Sequence, residues 1–341
     1  MRRPRLVLVG LLLAALLPAT SGPPSLAEAA TIPPWYANCR VFPSNFWNRD
    51  ISNLSVHRLS SMWLGKMSTS RKLHPDFGPS YGDGPDYGIP VTVVPASHPK
   101  VSVAFDYASE SDRVGYPFGA DTRIEGGRDS GGDMHTVVIE QTSCRLYETW
   151  NTRETGGRWT AGSGATWDLN SNNLRPDGWT SADAAGLPIL PGLLRWSEVK
   201  AGRVEHAIRF TTNITGKHHL WPARHDAGSQ PTWAYPSMGA RFRLKPGFST
   251  TGYGTYARTV INAMKHYGLV LADNGSPWYL QGDQNAGWPP RSVSPRGRAG
   301  VAAVICGEGC PESVLLTRLE PGGSRGHRSG HPCDGTLCDD R

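Results

Sequence analysis

The chain has 341 residues and a formal charge of +6, with 38% hydrophobic and 19% charged residues, 40 glycines and 28 prolines. That is a loop-rich globular composition, long enough for one large domain or two modest ones, and neither fibrous nor coiled coil. The first 29 residues carry three arginines and one glutamate, so about +4 is spread over the rest, without the basic stripe that nucleic acid needs.

Residues 1–29 read as a secretory signal: Arg2, Arg3 and Arg5, then an apolar run of 12 residues from Leu6 to Leu17, then Ala27-Glu28-Ala29 as a cleavage site. The run is shorter than the roughly 20 residues of a membrane-spanning helix, so the mature protein is expected to be secreted, extracellular and free of the membrane. Export places the cysteines in an oxidising compartment. Cys39 and Cys144 lie in the body of the chain, as a bridge or as two buried thiols. The body is expected at 30–290 as one β-rich catalytic or binding domain. Residues 291–341, rich in Gly, Ser, Arg and Pro, are expected to be a poorly ordered tail. Cys306, Cys310, Cys333 and Cys338, with His327 and His331, resemble zinc spacing only loosely, and disulfides or disorder are favoured there.

Helices are predicted at 52–67 and 255–267, from apolar residues at helical spacing, the second ending on Gly268. A short turn capped by Asp183 is predicted from Thr180. Strands are predicted at 91–94, 101–107, 136–139, 145–150, 164–169, 204–211, 241–244 and 269–272. Short β-branched runs separated by Gly, Pro, Asn and Asp point to a β-rich, jelly-roll-like antiparallel sandwich with a few peripheral helices. An α+β fold with one covered sheet is the alternative.

Two of these runs, from Thr136 and from Arg145, flank a short polar turn and read as a β-hairpin. A turn of two or four residues sets Ile139 opposite Leu146, Val137 opposite Glu148 and His135 opposite Trp150, all on one face. A three-residue turn would slip the register. In that register Glu148 sits on an apolar face beside His135. Desolvation raises a carboxyl pKa, which suits a general acid, with Trp150 beside it to stack on a sugar. The alternative is a structural Glu bonded to a histidine or a backbone amide. Asp168, beside Trp167, and Asp273, at a strand end, are candidate carboxylate partners. Asp273 also fits an Asx-turn.

His206 alternates with Val204, Ile208 and Phe210 and so faces an apolar side. A metal site from His135, His206 and His225 finds no spacing rule in its favour, and neither metal nor cofactor is expected. A lyase could use His206, His225 or Tyr147 as base with Arg224 neutralising a uronate. No phosphate-binding glycine loop is present, and Gly162-Ser163-Gly164 falls short of a hydrolase elbow. The tryptophans suit either a stacking cleft or core filling.

The stretches Trp179-Thr180-Ser181-Ala182-Asp183-Ala184-Ala185-Gly186-Leu187-Pro188-Ile189-Leu190-Pro191-Gly192 and Ala272-Asp273-Asn274-Gly275-Ser276 resemble uncharacterised secreted bacterial proteins of actinomycete type. The resemblance covers roughly 39–288 and implies no activity. The expectation is therefore a monomeric, secreted carbohydrate-active enzyme. It would be a glycoside hydrolase acting on an extracellular polysaccharide or cell-wall glycan. Glu148 would be the acid, Asp168 or Asp273 its partner, and His135 would tune Glu148. Trp150 and Trp167 would hold the sugar, with His206, Arg224 and His225 as further binding candidates. A polysaccharide lyase and a non-catalytic glycan-binding protein are the alternatives.

Overall fold

A computed structural model describes residues 35–37, 39–42, 45–67, 73–80, 84–289 and 319–321 of the chain. The expected signal at 1–29 and the expected tail at 291–341, other than 319–321, lie outside these, and so do Cys306, Cys310, Cys333, Cys338, His327 and His331. The described chain is strand-rich, as expected, with three helices and three mixed sheets.

The first strands are β1 (Trp35–Tyr36), β2 (Cys39–Arg40) and β3 (His74–Asp76), with helix α1 (Ser60–Lys66) between β2 and β3. Next come β4 (Val91–Val94), β5 (Val103–Phe105), β6 (Thr136–Glu140), β7 (Arg145–Trp150), β8 (Arg153–Thr155), β9 (Arg158–Ala161) and β10 (Ser163–Asp168). Helix α2 (Trp196–Lys200), β11 (Ile208–Thr212), β12 (Arg241–Leu244), helix α3 (Thr255–His266), β13 (Leu269–Asn274), β14 (Tyr279–Gln281) and β15 (Leu319–Pro321) complete the order. The predicted start of the first helix is not helical, because the carbonyl of Leu54 accepts from Arg243 Nη2 at 2.8 Å and Val56 is exposed. The turn at Thr180 is a loop organised by Asp183.

A four-stranded sheet runs β10-β7-β6-β4, antiparallel except for the parallel pair β4/β6. A three-stranded sheet runs β5-β9-β8, and a six-stranded sheet runs β15-β12-β13-β11-β14-β3 with parallel pairs β11/β13 and β14/β3. One face of the four-stranded sheet, with Val138 and Tyr147, packs against Tyr116, Phe118 and Trp159. The other face, with Val137, Ile139, Leu146 and Trp167, packs against Ile189, Leu190 and Leu193. The six-stranded sheet buries Ile208, Phe210 and Leu271 under Val260, Ile261 and Met264 of α3. That helix ends at Gly268, whose positive φ of 77° and contact with the Phe242 carbonyl exclude a side chain.

Sheets buried on both faces need polar strand residues to find partners inside. The segment from Asp183 to Leu194 supplies them and joins the two large sheets. Ala185 N donates to Ala272 O at 2.9 Å and Leu194 N to Gln281 O at 3.1 Å, both on the six-stranded sheet. Ile189 and Leu190 donate to Glu148 on the four-stranded sheet. Cys39 and Cys144 are joined by a disulfide with Cα atoms 5.4 Å apart, which ties β2 to the β6–β7 turn. Among the described residues, no helix is long and apolar enough to cross a membrane.

Candidate functional site

The hairpin register is the one its alternation implies. A turn of four residues, Gln141 to Cys144, sets Ile139 opposite Leu146 and Val137 opposite Glu148. Glu148 therefore does project onto the apolar face, and burial pushes its pKa up to about 7, against the backbone amides and Arg209 that favour its charge. It is also 0% exposed. Oε1 accepts from Leu190 N at 2.9 Å and Oε2 from Ile189 N at 2.9 Å. Its oxygens are held by the amides of the loop that covers it. The structural alternative describes Glu148, and the general-acid role does not fit it.

Asp168 is no partner for it. Glu148 is paired with Ala165, and Asp168 lies three residues further along β10, where alternation turns it to the opposite face. Asp168 is exposed, and its Oδ1 accepts from Asn170 N at 2.9 Å, an Asx-turn. It opens instead onto a cleft of ≈ 270 Å³ shared with Arg145 and Arg175.

His135 does not tune Glu148. Positive φ angles at Met134 and Asn151 break the ladder just beyond Thr136, and Asn151 N and Thr152 N donate to Asp133 O and Met134 O. The break turns the His135 ring to Glu125, with Nδ1 2.6 Å from Glu125 Oε2. Backbone bonds fix the pair: Glu125 N donates to His135 O at 2.9 Å, and His135 N to Glu125 Oε2 at 3.2 Å. Burial alone would lower the His135 pKa, but the charge and hydrogen bond of Glu125 outweigh it and raise it. Burial would raise Glu125, and the charge and hydrogen bonds of His135 outweigh that and hold it low. Both shifts favour an imidazolium paired with a carboxylate. His135 Nε2 has no hydrogen-bond partner among the described residues.

Asp273 stands within range of this charge. Burial raises its pKa despite the opposing pull of Arg209 and then His135. Glu125 and Asp273 are each 21% exposed, whereas His135 is 1% exposed. Asp273 Oδ2 lies 3.7 Å from Arg209 Nη2, and Asp183 Oδ2 lies 3.4 Å from the same atom. Arg209 also donates to Gln281. Buried mid-strand in β11, Arg209 balances the acids between the sheets. Asp183 accepts from Ala185 N and Leu187 N, each at 3.0 Å, and burial pushes its pKa up to about 7. Asp133 is exposed, and its Oδ1 takes the Trp150 indole N–H at 3.5 Å. The half-buried Trp150 ring lies against Gly162, with the Tyr107 ring 6.4 Å away.

The other candidates are dispersed. Trp167 is buried, edge-on to Phe42, with the Arg175 guanidinium 5.8 Å from its ring. His206 is sealed between Ala207 O at 2.8 Å and Glu198 Oε2 at 2.9 Å, and Glu198 also binds Arg195. Arg224 bonds Arg175 O at 2.9 Å and Asp177 at 3.2 Å. His225 Nδ1 donates to Ala184 O at 2.9 Å. Tyr147, on the opposite face from His135, accepts from Lys100 Nζ at 2.9 Å. The lyase set therefore does not assemble. His135, His206 and His225 each have separate partners, and no group of three or more metal-ligating side chains occurs among the described residues. Trp47, Trp63, Trp159, Trp278 and Trp288 are core residues, while Trp221 and Trp233 are exposed.

Sequence reasoning missed Glu125 and Arg209. Glu125 lies in a loop, where no periodicity points to it. Arg209 left one trace, a lone charge inside the apolar strand His206-Ala207-Ile208-Arg209-Phe210. Compared with known proteins, the chain matches no family model, no curated protein and no solved structure.

Proposed function

We propose that the protein is a secreted carbohydrate-active enzyme, a glycoside hydrolase whose proton donor is His135 rather than Glu148. The observation that carries this reading is a buried histidine bonded to Glu125, with Nε2 unpartnered and its charge felt by the partly exposed Asp273. Buried polar atoms are nearly always paired, so a free, charged donor at this position calls for a ligand.

Nε2 is itself buried, so the scheme requires its cover to move aside as the sugar binds; Nε2–H then gives its proton to the glycosidic oxygen as the C–O bond breaks. Water attacks the anomeric carbon and passes its proton to Asp273, so the two groups end with protonation exchanged. Glu125 keeps the imidazole charged and oriented. Trp150, with Tyr107 near it, offers an aromatic wall for the sugar. The export signal in the sequence and the Cys39–Cys144 bridge are in keeping with an extracellular substrate.

The test is release of reducing ends from a panel of plant, fungal and bacterial polysaccharides by the mature protein. Release by the wild type, lost in both His135→Gln and Asp273→Asn, supports the reading. Binding without release, by wild type and variants alike, would favour a non-catalytic glycan-binding protein. Release that survives in both variants overturns the assignment.

A further inference from the structure

The cleft of ≈ 270 Å³ lies at the opposite end of the β6–β7–β10 ladder from His135. Thr136, next to His135, pairs with Thr149, whereas Asp168 pairs with Arg145. Four residues of β7 separate the two levels, roughly 13 Å at the rise of an extended strand. The cleft takes no part in the acid–base scheme above.

Its lining is unusual for its charge balance. Arg175 is buried, with Nη1 2.9 Å from Asp112 Oδ2 and Nη2 donating to Glu110 O at 2.7 Å. Its guanidinium is set against two indoles, Trp179 at 5.3 Å and Trp167 at 5.8 Å. Its buried Nε–H has no partner among the described residues. At the rim, Arg145 and Asp168 face each other in register. Two cations and two anions thus sum to zero, alongside the Thr166 hydroxyl, the Asn173 amide and the apolar Leu174 and Pro176.

We infer that this cleft is a separate binding site for one neutral sugar unit of a glycan. An anionic ligand would have to compete with Asp112 for Arg175 and would meet the Asp168 carboxylate at the rim. A neutral ring meets no such competition. Donors and acceptors set side by side match adjacent sugar hydroxyls, while Leu174 and Pro176 can cover its C–H face. The volume falls below the roughly 300–1,000 Å³ of pockets for drug-sized ligands, which fits a single ring. Arg175 is prepaid for the task, since Asp112 and the two indoles hold it in place before any ligand arrives. The identity of the ligand rests on the glycan reading above.

The test is a ¹H–¹⁵N NMR titration of the mature protein with glucose, galactose, mannose, xylose and glucuronate, each separately. Saturable shifts of the Thr166, Ser171 and Asn173 amides by at least one neutral sugar are expected, with glucuronate about tenfold weaker or worse. Asn173→Trp, an exposed position whose new side chain fills the cleft, should abolish the shifts while leaving the remaining spectrum intact. His135→Gln should leave the titration unchanged. No saturable shift with any of the five, shifts confined to residues around His135, or glucuronate binding as tightly as the neutral sugars would each overturn the inference. Sugar binding here by a wild type that cleaves no polysaccharide would keep this site and discard the catalytic reading. Cleavage with a silent cleft would do the reverse.

Discussion

Two sets of acids can be compared, the buried Glu148 with Asp183 and the partly exposed Glu125 with Asp273, and they differ in what their oxygens still have to do. In the first pair burial raises both pKa values to about 7, yet both side chains are spent on the backbone of one loop, at Ile189 and Leu190 and at Ala185 and Leu187. In the second pair the carboxylates are partly open, and one of them charges a histidine whose outer nitrogen is unoccupied. A perturbed acid alone does not mark a site. The discriminating feature is leftover hydrogen-bonding capacity, which Glu148 gives to the loop and His135 Nε2 keeps.

The contrast can be broken most decisively by His135→Gln. Loss of the donor should lower the rate of polysaccharide cleavage by about 10²–10⁴-fold with the cooperative unfolding transition preserved. Glu148→Ala should act in the opposite sense. It leaves the Ile189 and Leu190 amides buried without a partner and opens a cavity, costing about 3–5 kcal/mol in urea unfolding, while the folded fraction keeps its specific activity.

Thermal stability sharpens the comparison next. Glu148 and Asp183 have folded pKa values of about 7, above their ordinary carboxylate values. The folded state therefore binds more protons than the unfolded chain between about pH 4 and pH 7, and stability falls as pH rises through that window. His135, whose pKa is also raised, contributes stability that is lost on the same alkaline side. Tm should be highest at about pH 4, at the acid end of that window, and fall by several degrees toward pH 8, and Glu148→Gln should flatten that slope. The smallest effect belongs to Glu125→Gln. Without its anion the His135 pKa drops, so the alkaline limb of the pH–rate profile should move to lower pH. A purely structural Glu125 would lower the rate with no such movement.

The hairpin was legible because its information is local. Period-2 alternation and a four-residue turn fix which side chains meet, and the Ile139–Leu146 and Val137–Glu148 pairs follow. The same held for α3, from its apolar spacing and Gly268. The strand β3 was not legible, since Pro75 at its centre argues against a strand and it is placed by a parallel partner, β14, far along the chain. Nor were β8 and β9, too short and polar to stand out. At the site, the environment of Glu148 was inferred, but its cover was not, because Ile189 and Leu190 lie some forty residues away and act through backbone amides that no side-chain pattern reports. Glu125 was invisible for the same reason. It reaches His135 through a loop and a break in the ladder at Met134.

The most direct test is a side-by-side rate measurement on whichever polysaccharide the wild type cleaves, using folded His135→Gln and folded Glu148→Gln at equal concentration. The account predicts that the first is inactive and that the second cleaves at close to the wild-type rate. Cleavage by the histidine variant, with an inactive but fully folded glutamate variant, would contradict it.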